Sequence, residues 1–191
     1  MMSVIVKADS RQNMIQSAAL LMRERGVDAT SFSEVLAHSG APRGSIYHHF
    51  PAGKAQLIEE ATRFAGEFTA AGLAAAMHDS EPVEAVRGFV SLWRKILTRS
   101  DFGAGCPVVA AALEGDRAPA VRDAAAHAFS QWEDLLADAV EPHAPGRGPS
   151  IATLIIASIE GAVVLARAQR SVTPLERVAE ELERVITAAL R

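Results

Sequence analysis

One short stretch of this chain combines cationic, hydroxyl and imidazole side chains at helical spacing. It reads PRGSIYHHFPAGK from Pro42 to Lys54. On a helix that turns about 100° per residue, Ile46 and Phe50 share one side and the polar side chains face the other way. Such a face suits the major groove of DNA, where a guanidinium can bind guanine or phosphate through two hydrogen bonds. We therefore predict a DNA recognition helix followed by a phosphate-binding turn.

Each polar residue of this stretch has an expected role at the DNA. Arg43 is expected to contact a base or a phosphate, and Gly44 lets the backbone approach the DNA closely. Tyr47 and His48 are expected to contact phosphate, which positions the protein without reading sequence. Lys54 would begin the next helix, where its charge adds to the helix dipole. The predicted DNA-binding residues are Thr30, Ser31, Arg43, Gly44, Ser45, Tyr47, His48 and Lys54.

Two short helices must precede this stretch to position it. The first is predicted to start at an Asp9 cap and to end at Gly26. The second is capped by the pair Thr30–Ser31 and ends at Gly40. Pro42 then fits the first position of a third helix, where its missing N–H costs nothing. Two helices joined by a tight glycine turn form a helix-turn-helix.

The rest of the chain also shows helical periodicity, and no segment alternates as a strand would. Six further helices are expected at about 54–77, 82–99, 107–114 and 118–140, after a Ser150 cap, and from Thr173. The predicted fold is therefore all-α with about nine helices. We expect a DNA-binding domain at 1–53 and a second, larger domain at 54–191.

Charge and composition agree with this division. The net charge is −4, but residues 1–54 carry +2 and the remainder carries −6. A mildly basic head on an acidic body is typical of a DNA-binding module joined to another domain. With one cysteine, Cys106, no intrachain disulfide can form. Together with the lack of a signal sequence, this predicts a cytoplasmic protein.

The longest apolar stretch, Ile151 to Ala168, is interrupted by Ser158, Glu160 and Arg167. We interpret it as a buried helix and not as a membrane span. No catalytic or metal-binding set is recognisable. His48 and His49 would point about 100° apart on a helix, and nothing orients a Cys106–His127 pair for nucleophilic attack. We expect neither an enzyme nor a bound cofactor.

Residues 9–58 resemble the N-terminal domain of the TetR family of transcriptional regulators. The resemblance rests on GAPRGSIYHHFPAGKAQL at 40–57, where residues 43–50 and Lys54 match the family pattern. Pro42 replaces a frequent Ser, and PAGK is one residue longer than the commoner P-S-K. A second segment, GCPVVAAALEG at 105–115, is similar to the LmrA/YxaF-like branch, which includes flavonoid- and drug-responsive repressors.

This resemblance implies a homodimer that usually acts as a repressor, and two recognition helices about one turn of DNA apart would bind a palindromic operator. From the cysteine content and the interrupted apolar stretch we expect a cytoplasmic protein without contact to a membrane. The dimer would form through the last two helices, and both are strongly apolar here. The residues predicted at the dimer interface are Ile151, Leu154, Ile155, Ile159, Ala162, Val163, Leu182 and Ile186.

The resemblance also implies a ligand chamber in the second domain. Seven of the ten aromatic residues lie between 64 and 132, which suits a small apolar or aromatic effector. The residues predicted to bind it are Phe68, Phe89, Trp93, Phe102, Cys106, Phe129 and Trp132. Two alternatives remain open. One is a redox-responsive regulator that uses Cys106, and the other is a small-molecule-binding helical protein without DNA function.

Overall fold

The computed structural model describes residues 10–78, 82–114 and 117–189, and within these residues the chain forms nine α-helices and no strand. The helices are α1 (Ser10–Arg25), α2 (Phe32–Ser39), α3 (Ser45–His49), α4 (Lys54–Met77), α5 (Pro82–Arg99), α6 (Pro107–Ala112), α7 (Pro119–Val140), α8 (Gly148–Gln169) and α9 (Thr173–Ala189). The all-α prediction is therefore confirmed. The predicted Asp9 cap lies outside the described residues.

The turns that separate the first helices have clear local causes. Gly26 and Gly40 follow α1 and α2 with φ of 82° and 68°, a left-handed conformation that favours glycine. At the start of α2, the Ser31 hydroxyl accepts a hydrogen bond from the Glu34 amide at 3.3 Å. The Glu34 carboxylate accepts one from the Ser31 amide at 3.1 Å. This capping box fixes the point where α2 begins.

The central helices α4 and α5 begin and end where the sequence predicts. α4 packs closely on α7 because Gly66 carries no side chain. A Cβ at Gly66 would lie 2.6 Å from the Cβ of Ala128. The indole N–H of Trp132 on α7 donates to the Gly66 carbonyl at 2.9 Å, so a buried hydrogen bond also joins the two helices.

α8 begins two residues before the predicted Ser150 cap. The Glu141 carboxylate accepts hydrogen bonds from the amides of Gly146 at 2.6 Å and Gly148 at 3.1 Å. An anion here satisfies backbone N–H groups at the helix start, where the helix dipole favours negative charge. Ser150 instead donates its hydroxyl to the Arg147 carbonyl at 3.0 Å. The predicted cap at Ser150 is therefore wrong.

α8 has two apolar faces. Its length and composition would suit a membrane span, but a core helix meets the same criterion. One face packs inside the protein and comprises Ile151, Ala152, Ile155, Ile156, Ile159, Ala162, Val163 and Ala166. The other is open to solvent. This exposed stripe comprises Leu154, Ala157, Gly161, Val164, Leu165 and Ala168.

Candidate nucleic-acid interface and junction cavity

The recognition helix α3 is shorter than the sequence predicts. It starts at Ser45 and not at Pro42, because residues 42–45 form a turn of their own. Both the amide and the hydroxyl of Ser45 donate to the Pro42 carbonyl, at 3.0 and 2.7 Å. Pro42 therefore shapes the turn that leads into α3 and is not the first residue of the helix.

The two faces of α3 are divided as predicted. Ile46 is 0% exposed and Phe50, which follows the helix, is 1% exposed. The ring of Phe50 lies 5.2 Å beneath the guanidinium of Arg11. Tyr47 is 69% exposed, and its ring meets that of Phe32 edge to face at 5.5 Å. The contact with Phe32 thus fixes the orientation of the Tyr47 ring, and the Tyr47 side chain remains accessible to solvent.

The other predicted DNA-binding residues flank this helix. Arg43, Gly44 and His48 are exposed, and Ser45 is half-buried. Lys54 begins α4, and its ammonium donates to the carbonyl of Asp28 at 3.0 Å. This bond ties the start of α4 to the connection between α1 and α2, so Lys54 has a structural partner as well as an accessible position.

The predicted contacts at the start of α2 differ from each other. Ser31 is partly exposed at the helix N-terminus, where a phosphate would be favoured. Thr30 is 1% exposed, and its hydroxyl donates to the Gly26 carbonyl at 2.8 Å. The side chain of Thr30 therefore holds the α1–α2 turn together and does not lie on the DNA-facing surface.

The residues predicted to bind the effector are spread over several environments. The structure buries Phe89, Trp93 and Trp132 and half-buries Phe102 and Phe129, but it leaves Phe68 on α4 71% exposed. Ring contacts join Phe89 to Trp93 at 6.4 Å on α5, and Phe129 to Trp132 at 5.3 Å on α7.

A cavity of about 420 Å³ lies where α1, α6 and α8 meet. We call it the junction cavity. Of the seven predicted effector residues, Cys106 is the one that lines it. Its polar lining includes Arg23, Cys106, Glu160 and Arg167, and its apolar lining includes Val109 and Val163.

The most unusual residue of the junction cavity is Glu160. Its side chain is 9% exposed, and neither carboxylate oxygen has a hydrogen-bond partner within the described chain. Burial raises the pKa of Glu160 to about 7, and the neighbouring Cys106 thiol offsets only part of this. Sequence reasoning missed Glu160 as a site residue. The available signal was an acid inside an apolar helix, which we used only to exclude a membrane span.

Two further polar groups of the cavity are also unusual. Burial raises the pKa of the Cys106 thiol well above its ordinary value, and the Glu160 carboxylate adds to the effect. The Nε of Arg23 is buried without a partner, and burial lowers the pKa of that guanidinium. The cavity thus brings together a buried acid, a buried thiol and a half-buried guanidinium, while other parts of its lining, such as Leu113 and Val164, are open to solvent.

Arg167 on α8 connects that helix to α1 and to the loop between α5 and α6. It donates to the Glu24 carbonyl of α1 at 3.3 Å and to the Gly103 carbonyl at 2.9 Å. The Gly105 amide donates to the Arg23 carbonyl at 2.7 Å. A Cβ at Gly105 would lie 2.5 Å from Nη1 of Arg167, so a larger residue here would displace the Arg167 side chain from its present position. The end of α1 is therefore bonded both to α8 and to the α5–α6 loop.

Comparison with known proteins agrees with this architecture. Residues 14–61 match the family model described as bacterial regulatory proteins, tetR family, and residues 82–181 match the LmrA/YxaF-like transcriptional regulator C-terminal domain. The chain is 43% identical to the uncharacterized HTH-type transcriptional regulator Rv0196 of Mycobacterium tuberculosis H37Rv, over 94% of this chain and 95% of the relative.

Two further relatives extend the comparison. The HTH-type transcriptional regulator YxaF of Bacillus subtilis is 30% identical, over 92% of this chain and 94% of the relative. A crystal structure of a TetR transcriptional regulator from Chloroflexus aurantiacus superposes with a TM-score of 0.80, at 29% identity and 94% coverage of both chains. The matched families and relatives are transcriptional regulators and not enzymes. This chain therefore belongs to the TetR family of DNA-binding transcriptional regulators, with a C-terminal domain of the LmrA/YxaF-like type.

Proposed function

We propose that this regulator is a homodimeric repressor that binds a palindromic operator and leaves it when a small apolar or aromatic effector binds. Residues 1–53 would bind DNA, and residues 54–191 would bind the effector and form the dimer. The observation that carries the proposal is α3, where the buried Ile46 and Phe50 support an exposed face that includes Tyr47 and His48. Regulators of this family bind DNA and typically act as dimers.

DNA binding is tested with fluorescently labelled DNA that flanks the protein's own gene. We expect Arg43→Ala to weaken binding by roughly tenfold or more, since a bidentate base contact contributes about 1–3 kcal/mol. The affinity of the unaltered protein should fall steeply with salt, because phosphate contacts release counterions. Arg184→Ala on α9, paired with Glu181, is the control and should change neither quantity.

Full operator affinity in Arg43→Ala would overturn the contact assignment. A complete lack of salt-dependent binding by the unaltered protein would instead favour the alternative of a helical small-molecule-binding protein without DNA function.

The dimer is proposed to form through the exposed stripe of α8. Seven of the eight predicted interface side chains are at most 3% exposed within one protomer, so they already belong to its own core. Leu154, which is 41% exposed, is the member that stays accessible. A two-fold dimer would place two recognition helices about 34–36 Å apart, one turn of DNA.

Sedimentation of Leu165→Glu tests this interface, because a charge in an apolar interface should favour the monomer. Leu165 is 50% exposed on α8. The matched control is Leu20→Glu on α1, where the leucine is 41% exposed and does not belong to the exposed stripe of α8. A dimer that survives Leu165→Glu would place the interface elsewhere.

Release from DNA is proposed to follow from effector binding. A ligand shifts the equilibrium between two dimer shapes only by its difference in affinity for them. The thiol-sensor alternative is less well supported, because a buried thiol with a raised pKa is a poor nucleophile. Oxidant-dependent release from DNA that disappears in Cys106→Ser would revive that alternative.

A further inference from the structure

The junction cavity contains a buried acid, Glu160, that lacks a well-formed hydrogen bond; the Cys106 thiol lies beside it but is a weak donor. Nearly all buried polar groups in native proteins have a hydrogen-bond partner, and an unsatisfied one destabilises the fold. Glu160 is 9% exposed, it lines the cavity, and both of its oxygens lack a partner among the described residues. A ligand that supplies the missing partner would therefore bind with a favourable free energy.

The rest of the cavity has the properties of a small-molecule site. Its volume of about 420 Å³ lies within the usual range of about 300–1,000 Å³. Val109, Val163 and Val164 contribute apolar walls beside Glu160. At another part of the lining, the Nε of Arg23 is a buried donor without an acceptor. Apolar walls with few polar groups would orient a ligand and select its chemistry.

Ionised Glu160 can only accept hydrogen bonds, so its missing partner is a donor, and a cationic donor would keep Glu160 ionised although burial raises its pKa. Arg167 is already bonded to two backbone carbonyls, and no ion pair to Glu160 is formed by Arg23 or Arg167 in the structure. An anionic ligand group would be repelled. Within the described residues, no group of three or more His, Cys, Asp or Glu could hold a metal ion. An organic cation fits the site best, because a buried charge is stabilised by an opposite charge.

We propose that the junction cavity is the effector site and binds a small organic amine, whose ammonium group pairs with Glu160 while its apolar body lies against the valines. This inference rests on the proposed function, because it names the site and the chemistry of the effector. An acceptor group elsewhere on the same amine can accept a hydrogen bond from the unpaired Nε–H of Arg23. The site is separate from the ring pairs of α5 and α7.

The position of the cavity explains how an amine would act on DNA binding. Met22, Arg23 and Val27 bring the end of α1 and its turn into the cavity wall, and Glu160 brings in α8. Arg167 bonds the Glu24 carbonyl of α1 to α8 at the same place. A ligand wedged between α1 and α8 would alter the orientation of α1, and α1 packs against α3.

Calorimetric titration of the full chain with three matched probes tests the chemistry. The probes are 2-phenylethylamine, the neutral 2-phenylethanol and the anionic 3-phenylpropionate. We expect the amine to bind once per chain and at least tenfold more tightly than either of the others. Equal or tighter binding of the alcohol or the acid would overturn the assignment, as would an absence of amine binding at millimolar concentration.

Variants of the lining test the site. Glu160→Gln should weaken amine binding at least tenfold, whereas Glu67→Gln, which alters an exposed acid of α4 outside the cavity lining, should change it less than twofold. Ala110→Phe should abolish binding by filling the cavity. Melting curves establish that each variant is folded. Amine binding that survives both Glu160→Gln and Ala110→Phe would place the amine elsewhere and overturn the proposal.

Operator binding measured on the same samples separates this inference from the proposed function. If the amine-free protein does not bind its flanking DNA, the proposed repressor function fails whatever the amine does. If the protein binds the DNA, but the amine neither binds the protein nor releases it from the DNA, only the effector-site inference fails. Release by the amine, lost in Glu160→Gln, would support both.

Discussion

The recognition surface and the junction cavity treat polar groups in opposite ways. Around α3, polar side chains have local partners: Thr30 bonds Gly26, and Lys54 bonds Asp28. In the junction cavity, Glu160 and the Nε of Arg23 are buried without partners. The polar groups that hold the segments around α3 together are paired within the protein, whereas two buried polar groups of the junction cavity are not.

This difference suggests a division of labour. The bonds of Thr30 and Lys54 hold the segments on either side of α3 in place, which keeps its exposed face, including Arg43 and His48, in one orientation. Each unsatisfied buried polar group in a cavity lowers the stability of the folded protein by about 1–3 kcal/mol. A ligand that bonds to such a group can recover part of that free energy.

The largest expected effect breaks the support of the recognition surface. Phe50 is 1% exposed, so Phe50→Ala should destabilise the protein by about 3–5 kcal/mol through lost packing and a cavity. Chemical denaturation measures the loss. Tyr47→Ala, at a residue 69% exposed, should change stability by no more than about 0.5 kcal/mol. Similar losses in the two variants would show that α3 is not anchored on one face as described.

The second effect concerns pH at the junction cavity. The pKa of Glu160 is about 7 in the folded protein against an ordinary 4.5, so the folded state holds its proton more tightly. The protonated Glu160 contributes fully to the unfolding free energy below about pH 4.5. As the pH rises from 4.5 to 7, the unfolding free energy falls by up to about 3 kcal/mol because the buried carboxyl loses its proton.

Glu160→Gln should remove that dependence, because the amide stays neutral. The variant should match the unaltered protein near pH 4.5 and exceed its unfolding free energy at pH 8 by roughly 1–3 kcal/mol. The other ionisable groups of the cavity lining are unchanged in the comparison: Arg23, Arg25, Asp28, Cys106, Glu114 and Arg167. Parallel pH–stability curves for the two proteins would contradict the assignment of a buried, unsatisfied acid.

The smallest expected change in stability tests the hydrogen bond that caps α2, the helix before α3. Ser31 caps α2 through the Glu34 amide, so Ser31→Ala should destabilise the protein by about 1 kcal/mol. Ser150→Ala is a suitable control, because Ser150 lies inside α8 and does not cap it. Thermal melting should show a clear shift for Ser31→Ala and a smaller one for Ser150→Ala. The reverse order would mean that Ser150, and not Glu141, caps α8.

Much of the fold could be predicted because prolines, glycines and periodicity act locally. Pro82 marks the start of α5, and Gly40 marks the end of α2. The start of α3 was predicted wrongly because Pro42 is equally compatible with a turn, and the two Ser45 hydrogen bonds favour the turn. The cap of α8 was missed because Glu141 acts from seven residues before Gly148.

The sites were harder to predict because they depend on which surfaces meet. Periodicity shows that α8 is apolar, but it does not show which of two apolar faces packs inside the protomer. Phe68 fits the helical pattern of α4 and is nevertheless 71% exposed. Glu160 became visible as a site residue only when α1, α6 and α8 were seen together, since its neighbours in space are distant in sequence.

The contact between Gly105 and Arg167 has an evolutionary consequence. Because a Cβ at position 105 would lie 2.5 Å from the Arg167 guanidinium, a larger residue at 105 is compatible with Arg167 only if the arginine side chain moves. Among related chains we therefore expect a larger residue at 105 to be accompanied more often by a shorter one at 167. A chain with such a pair would lack the bonds from Arg167 to the Glu24 and Gly103 carbonyls, and the end of α1 would lose that connection to α8.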